Sequence, residues 1–152
     1  REKQKLKRIF GLTEKQFRNN FIKASKQDGV TGDNLISNLE RRLDNVVYRL
    51  GMLSSRSEAR QYVNHGHVLV NNKKVDIPSY IISLNDIVEL KEKIKDNIRV
   101  KSSIESVARR GVPDWLELNP EKIHGTIKRL PNREDFKQPV DEQLIIEFYS
   151  KL

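Results

Sequence analysis

The sequence predicts an α+β protein in which short amphipathic helices at both ends of the chain enclose a helix pair running into antiparallel strands. Three observations carry this expectation. Apolar residues recur every three or four positions near both ends. Two motifs, Thr13-Glu14-Lys15-Gln16 and Ser55-Arg56-Ser57-Glu58, have the form of capping boxes that open helices. Between residues 67 and 90, short β-branched runs are broken by Asn-containing turns.

In chain order, Lys3–Phe10 places Leu6, Ile9 and Phe10 at helical spacing and stops at Gly11. The Thr13 box opens a second helix whose stripe is Phe17, Phe21, Ile22 and Ala24. A loop with Gly29 and Gly32 follows. Leu35, Leu39, Leu43, Val46, Val47 and Leu50 then predict one long joining helix, bent near Arg41 and ended by Gly51. The Ser55 box opens a short helix with Ala59, Tyr62 and Val63 inward and Gly66 at its end. His67–Asn71 and Val75 flank a hairpin turn, and Tyr80–Leu84 and Asp86–Leu90 are expected as further strands. After a charged connector at Lys91–Lys95, Ser102-Ser103-Ile104-Glu105 is expected to cap a helix that stops at Gly111. Residues 114–118 and 125–130 are expected as strands, Pro131 and Pro139 bracket an irregular stretch, and Asp141 caps a closing helix bearing Leu144, Ile145, Phe148 and Tyr149.

Composition narrows the function. The 152 residues are too few for a large catalytic barrel. A charged fraction of 33% exceeds the usual ~25%. No run approaches the ~20 apolar residues that span a bilayer, so a soluble chain that is not visibly exported is expected. Cysteine is absent from the sequence, which removes thiolate metal sites and cysteine nucleophiles. The start at Arg1 rather than Met points to a trimmed chain. Net charge is +8, with segment values of +6 for residues 1–28, −2 for 29–40, +4 for 41–76 and 0 for 77–152. All the net positive charge therefore lies in the first half, as a polyanion partner would favour.

Enzyme readings find no apparatus. The seven glycines fit neither a dinucleotide fingerprint nor a phosphate loop. Gly29-Val30-Thr31-Gly32 has the spacing of a backbone-clamping loop without the flanking elements. His65 and His67 have no acidic residue at metal-ligand spacing, His124 is distant, and Glu134-Asp135 reads as a solvated loop. No cofactor, metal or catalytic residue is expected.

The positive reading rests on helix geometry. Arg56, Arg60 and Asn64 are spaced i, i+4, i+8 and project in one row, with Gln61 beside it and His65 at its end. Arg42 and Arg49 share a face of the preceding helix, and Lys73 and Lys74 stand at the hairpin tip. Guanidinium forks and mobile ammonium groups suit phosphate oxygens, while Gln61, Asn64 and His65 suit riboses or base edges. Lys3, Lys5, Lys7, Arg8, Lys15, Arg18 and Lys23 supply a second basic patch. The competing readings are a solvated face with surface ion pairs, a membrane-surface helix, whose apolar side here is short, and a helix-turn-helix DNA binder. Tyr48, Tyr62 and Tyr80 suit either base stacking or core positions.

The run RRLDNVVYRLGMLSSRSEARQYVNHGHVLVNNKKVDIPSY at residues 41–80 resembles the S-four RNA-binding domain. Residues 1–26, PEKIHGTIKRLP at 120–131 and EQLIIEFYSK at 142–151 are similar to its ribosomal branch, so the resemblance covers nearly the whole chain. It implies a small all-helical domain, residues 1–40 plus 141–152, completed by the C-terminal helix. Inserted between is an S-four RNA-binding domain, residues 41–140, made of a helix pair plus antiparallel sheet with a core module at 41–90. It also implies a non-enzymatic constituent of the small ribosomal subunit, in the cytoplasm and monomeric when free. Such a protein binds a multi-helix junction of ribosomal RNA early in assembly, lies beside the S-five protein where decoding accuracy is influenced, and in some members represses its own messenger RNA. Glu147 on the closing helix is the candidate contact with S-five. Two departures stand out: the family's basic, sometimes zinc-binding, N-terminal extension is missing, and Leu35-Ile36-Ser37-Asn38 is more polar than usual.

Overall fold

The computed structural model describes residues 1–151. Its elements in chain order are α1 (Glu2–Phe10), α2 (Glu14–Lys26), α3 (Thr31–Glu40), α4 (Leu43–Arg49), α5 (Arg56–Asn64), β1 (Val68–Val70), β2 (Lys73–Lys74), β3 (Ile87–Leu90), α6 (Glu92–Lys95), α7 (Ile98–Arg110), β4 (Leu116–Asn119), β5 (His124–Ile127) and α8 (Glu142–Ser150). A short 3₁₀ turn covers Arg133–Asp135. Two compact units result: residues 1–40 together with the chain from 131 onward, and residues 41–130.

The first unit is helical. Leu6, Phe10, Phe17, Leu35, Ile36 and Leu39 are buried with Phe136, Val140 and Ile145 in one core. The Thr13 capping box forms on both sides: Thr13 Oγ1 accepts from the Gln16 N–H at 3.1 Å, and Gln16 Oε1 accepts from the Thr13 N–H at 3.0 Å. The polar pair within α3 has partners. Ser37 Oγ donates to the Pro131 carbonyl at 2.8 Å, and Asn38 donates to Gln27 Oε1 at 2.6 Å. Residues 131–140, expected with the second domain, belong here because Phe136 and Val140 are buried in this core. Arg133 fastens the segment, pairing with both carboxylate oxygens of Glu142 and donating to the Phe136 and Val140 carbonyls. At the other end of the unit, Glu2 Oε1 accepts from the Asp141 N–H at 2.8 Å, tying α1 to the start of α8.

The expected long helix is two helices. α3 stops at Glu40 and Arg42 is extended, with φ −62° and ψ 140°. Restarting a helix leaves its first N–H groups without partners. Here the Leu43 and Asp44 N–H groups donate to the Tyr80 and Pro78 carbonyls at 2.8 and 3.1 Å. That use of residues 78–82 explains a second difference: Tyr80–Leu84 is not a strand but an irregular cap for α4, whose strand-like pairing is the isolated Arg42–Ile81 bridge outside the sheet.

The second unit carries a five-stranded antiparallel sheet in the order β2-β1-β3-β5-β4. Asn71 and Asn72 turn the β1–β2 hairpin with φ of 51° and 68°, a conformation Asn tolerates better than most residues. Asn71 also locks the turn to β3, since its Oδ1 accepts from the Ile87 N–H and its Nδ2 donates to Asp86, both at 2.9 Å. Helices α4, α5 and α7 bury Val46, Val47, Leu50, Ala59, Val63 and Val107 in one core with Val88, Leu90, Trp115 and Ile127. Two glycines permit the close approach. A Cβ on Gly125 would lie 2.3 Å from Leu50, and one on Gly51, at φ +77°, would lie 2.4 Å from Val107. α7 starts earlier than expected because Asn97, not Ser102, caps it by accepting from the Arg99 N–H at 2.8 Å. Ser103, inside the helix, donates instead to the Gly51 carbonyl at 2.6 Å.

Candidate nucleic-acid interface

Helix α5 is anchored by Ala59 and Val63, both fully buried, which turns Ser57, Gln61 and Asn64 to solvent. Ser55 caps its start, Oγ accepting from the Glu58 N–H at 3.2 Å. The reciprocal half of the expected box is diverted. One Glu58 oxygen accepts from Ser54 Oγ at 2.8 Å and the other from Arg99 Nη1 at 3.3 Å.

The arginine row is held from behind by the first turn of α4. Asp44, whose side chain is 3% exposed, receives Nε and Nη2 of Arg42 at 3.1 and 3.0 Å and Nε of Arg60 at 3.3 Å. Asn45 is fully buried, and its Oδ1 accepts from Arg56 Nε at 2.8 Å. The Arg56 guanidinium lies 4.5 Å from the centre of the Tyr48 ring, and that of Arg49 lies 6.0 Å from it. A buried acid and a buried amide thus fix one edge of each guanidinium fork and tie its position to the α4 backbone. Such orientation lowers the entropy lost when a fork meets an oxyanion.

The structure brings Arg56, Arg60, Gln61, Asn64 and His65 onto one helix and its exposed end. Lys74 joins them, because its side chain passes 3.2 Å from where a Cβ on Gly66 would stand. Lys73 is exposed at the hairpin tip, and Arg49 is half-buried on α4. Arg42 is different. At 3% exposure it is turned inward and locked to Asp44, so it acts as a structural ion pair rather than a surface contact. Periodicity puts it on the face of Arg49 only if the helix is unbroken, and the break at Arg42 removes that phase relation. Tyr48 and Tyr62 pack against the core while Tyr80 is 38% exposed.

Of the N-terminal cations, Arg8, Lys15, Arg18 and Lys23 are exposed. Lys3 and Lys7 converge on Glu14 at 3.1 and 2.9 Å, and Lys5 pairs with Glu2 at 3.2 Å. Hydrogen bonds from Lys7 and Lys3 hold the Glu14 carboxyl below its ordinary range. The second patch is therefore narrower than its residue count suggests. On α8, Glu147 is exposed between Leu144 and Phe148, which are 51% and 47% exposed. His65 and His67 meet edge to face at 6.0 Å, and burial, with the charges of His65, Lys91 and Lys93, pushes the His67 imidazole down. No group of three His, Asp or Glu side chains among the described residues gathers in metal-binding geometry. Sequence reasoning does not find Asp44, Asn45 or Arg99. Asp44 and Asn45 sit at an apparent helix interior, where nothing marks a buried polar pair.

Among the described residues, no helix is long and apolar enough to cross a membrane. Residues 1–40 match the family model described as Ribosomal protein S4/S9 N-terminal domain, and residues 41–88 match the S4 domain. The chain is 56% identical over 151 residues to a small ribosomal subunit protein uS4 from Pelobacter propionicus, covering 99% of this chain and 73% of that relative. It is 54% identical, over 99% of the chain and 72% of the relative, to the uS4 protein of Syntrophus aciditrophicus. Matches spanning both units at this identity leave one assignment: the chain belongs to the uS4 family of small ribosomal subunit proteins, which is a family of structural ribosomal constituents and not of enzymes.

Proposed function

We propose that the chain docks on a multi-helix junction of small-subunit ribosomal RNA through α5 and the β1–β2 hairpin, early enough for later subunit proteins to build on it. Arg49, Arg56, Arg60, Lys73 and Lys74 engage phosphates, and Gln61, Asn64 and His65 reach riboses or base edges. Arg8, Lys15, Arg18 and Lys23 form the second contact, while Lys3, Lys5 and Lys7 act mainly through their acid partners. Glu147, flanked by exposed Leu144 and Phe148, faces the S-five protein, and through that contact the chain influences decoding accuracy. Repression of its own messenger RNA belongs to the same reading, because a folded messenger segment offers the same phosphates to the same row.

The observation that carries the proposal is the orientation of Arg56 and Arg60 by the buried Asn45 and Asp44 at 2.8 and 3.3 Å. A generic solvated face has no need of a buried polar pair behind it. The test is filter binding to the isolated junction RNA, with transfer RNA and duplex DNA as competitors, across a salt series. Binding should survive both competitors. Arg56→Ala with Arg60→Ala should lower the log–log salt slope by roughly 1.4–1.8, at about 0.7–0.9 for each phosphate deprived of its cation. An unchanged slope in a folded double variant removes the row from the interface.

A further inference from the structure

Helix α5 has a second flank that the arginine row does not use. At about 100° per residue, the buried pair Ala59 and Val63 fixes the inward direction and Ser57, Gln61 and Asn64 point outward. Arg56 and Arg60 lie on the flank that meets Asn45 and Asp44 of α4. Glu58 lies on the opposite flank, where it meets Arg99 of α7. Along that side runs a groove of ≈ 590 Å³, lined by Ser54 just before α5, by Glu58 within it, and by Ile98, Arg99, Ser102, Ser106 and Arg110 from α7. Along one face of α7 the hydroxyls of Ser102 and Ser106 stand between the guanidinium groups of Arg99 and Arg110.

We infer that this groove is a second binding site for the RNA sugar–phosphate backbone, so that α5 is a ridge straddled by RNA with arginines on both sides. The inference rests on the α5 reading proposed above. Three observations favour RNA as the occupant. Glu58, on the groove's wall, stands about 60° around α5 from Gln61 on the outward face. Its two arginines outnumber its one acid, and α7 also exposes Arg109 together with Glu105, while Lys101 lies 3.9 Å from Asp96. The ion pair that occupies it is weak: Arg99 is 71% exposed and lies 3.3 Å from Glu58, a geometry in which a phosphate readily replaces the carboxylate. Arg110 is held by Ser106 at 3.2 Å, which keeps its fork over the groove. Ser103, by contrast, is occupied by Gly51 and takes no part.

The test uses the full chain and small-subunit ribosomal RNA in filter-binding titrations across a salt range of about 50 to 200 mM. Arg99→Ala with Arg110→Ala should lower the salt slope by about 1.4–1.8, so that its affinity falls roughly tenfold less than the parent's across that range. Lys93→Ala with Lys122→Ala removes the same charge from exposed positions outside the groove and should leave the slope unchanged. Glu58→Gln keeps an acceptor for Ser54 while deleting the competing acid, and should bind RNA more tightly than the parent. The inference is overturned if the Arg99/Arg110 variant matches the Lys93/Lys122 control, or if Glu58→Gln gains nothing. Loss of slope in Arg56→Ala with Arg60→Ala but not in the α7 variant sinks the second flank alone. An unmodified chain that binds no ribosomal RNA sinks both readings.

Discussion

Replacing Asp44 by Ala isolates the residue on which both the fold of the second unit and its arginine row depend. The substitution leaves the Arg42 guanidinium, 4% exposed in its side chain, without its bidentate acid. An uncompensated buried charge costs about 3–5 kcal/mol, against a total stability of ~5–15 kcal/mol for a domain of this kind. Trp115 is the one tryptophan in the sequence and is buried in the core of the same unit, so its fluorescence reports that unit's unfolding in urea. With a slope of ~2 kcal/mol per molar, the midpoint should fall by roughly 1.5–2.5 M. Arg42→Met combined with Asp44→Leu should recover most of the loss, because well-packed apolar replacements of a buried pair are often neutral. The double-mutant cycle then gives a coupling well above the ~0.5 kcal/mol expected of independent sites. A midpoint shift below about 0.5 M for Asp44→Ala, or additive single variants, would falsify the buried-pair account.

Two further outcomes follow from the packing of individual side chains. Gly125→Ala forces a methyl to within 2.3 Å of the fully buried Leu50 and should destabilise the second unit by about 1–3 kcal/mol, again read from Trp115; stability equal to the parent would show that the α4–sheet contact has slack. The Tyr149 hydroxyl is pushed up to about 12 by burial first and then by the Glu14 carboxylate, whose oxygen accepts its proton at 3.5 Å. Because its folded value lies above the ordinary 10.0, its contribution to stability is complete below about 10 and disappears as pH rises through about 12. Absorbance titration should show tyrosinate appearing earlier in Glu14→Gln than in the parent; identical curves for the two chains would contradict the placement.

What the sequence made legible was local chemistry. The Thr13 box, the Asn71-Asn72 turn and the stops at Gly11, Gly51, Gly66 and Gly111 depend on neighbouring residues, and the backbone follows them. Inward positions of α5 were readable because Ala59 and Val63 sit at helical spacing. Sequence and structure part where partners are distant along the chain. The helix break at Arg42 is stabilised by carbonyls of Pro78 and Tyr80, and the same hydrogen bonds keep residues 80–84 out of the sheet. Ser102 opens a motif of the right form for a cap, yet Asn97 lies upstream and Ser103 is drawn to Gly51 across the core. For the same reason the row Arg56, Arg60, Asn64 could be read from spacing alone. The inward turn of Arg42 and the reach of Arg99 to Glu58 required three-dimensional proximity.

The hydrogen bond from Ser37 to the Pro131 carbonyl joins residues 94 positions apart. With α8 packed on α1 and α3, it means that the helical unit is written in two separated pieces of chain. During synthesis α1 to α3 emerge before Phe136, Val140 and Ile145, the residues that close their core. The unit at 41–130 is continuous and can fold as soon as it clears the exit channel. Order of appearance and order of completion are therefore reversed: the helices of residues 1–40 wait with an open apolar face until the segment from 131 onward arrives, so truncations within that segment expose α1 to α3 rather than the unit at 41–130.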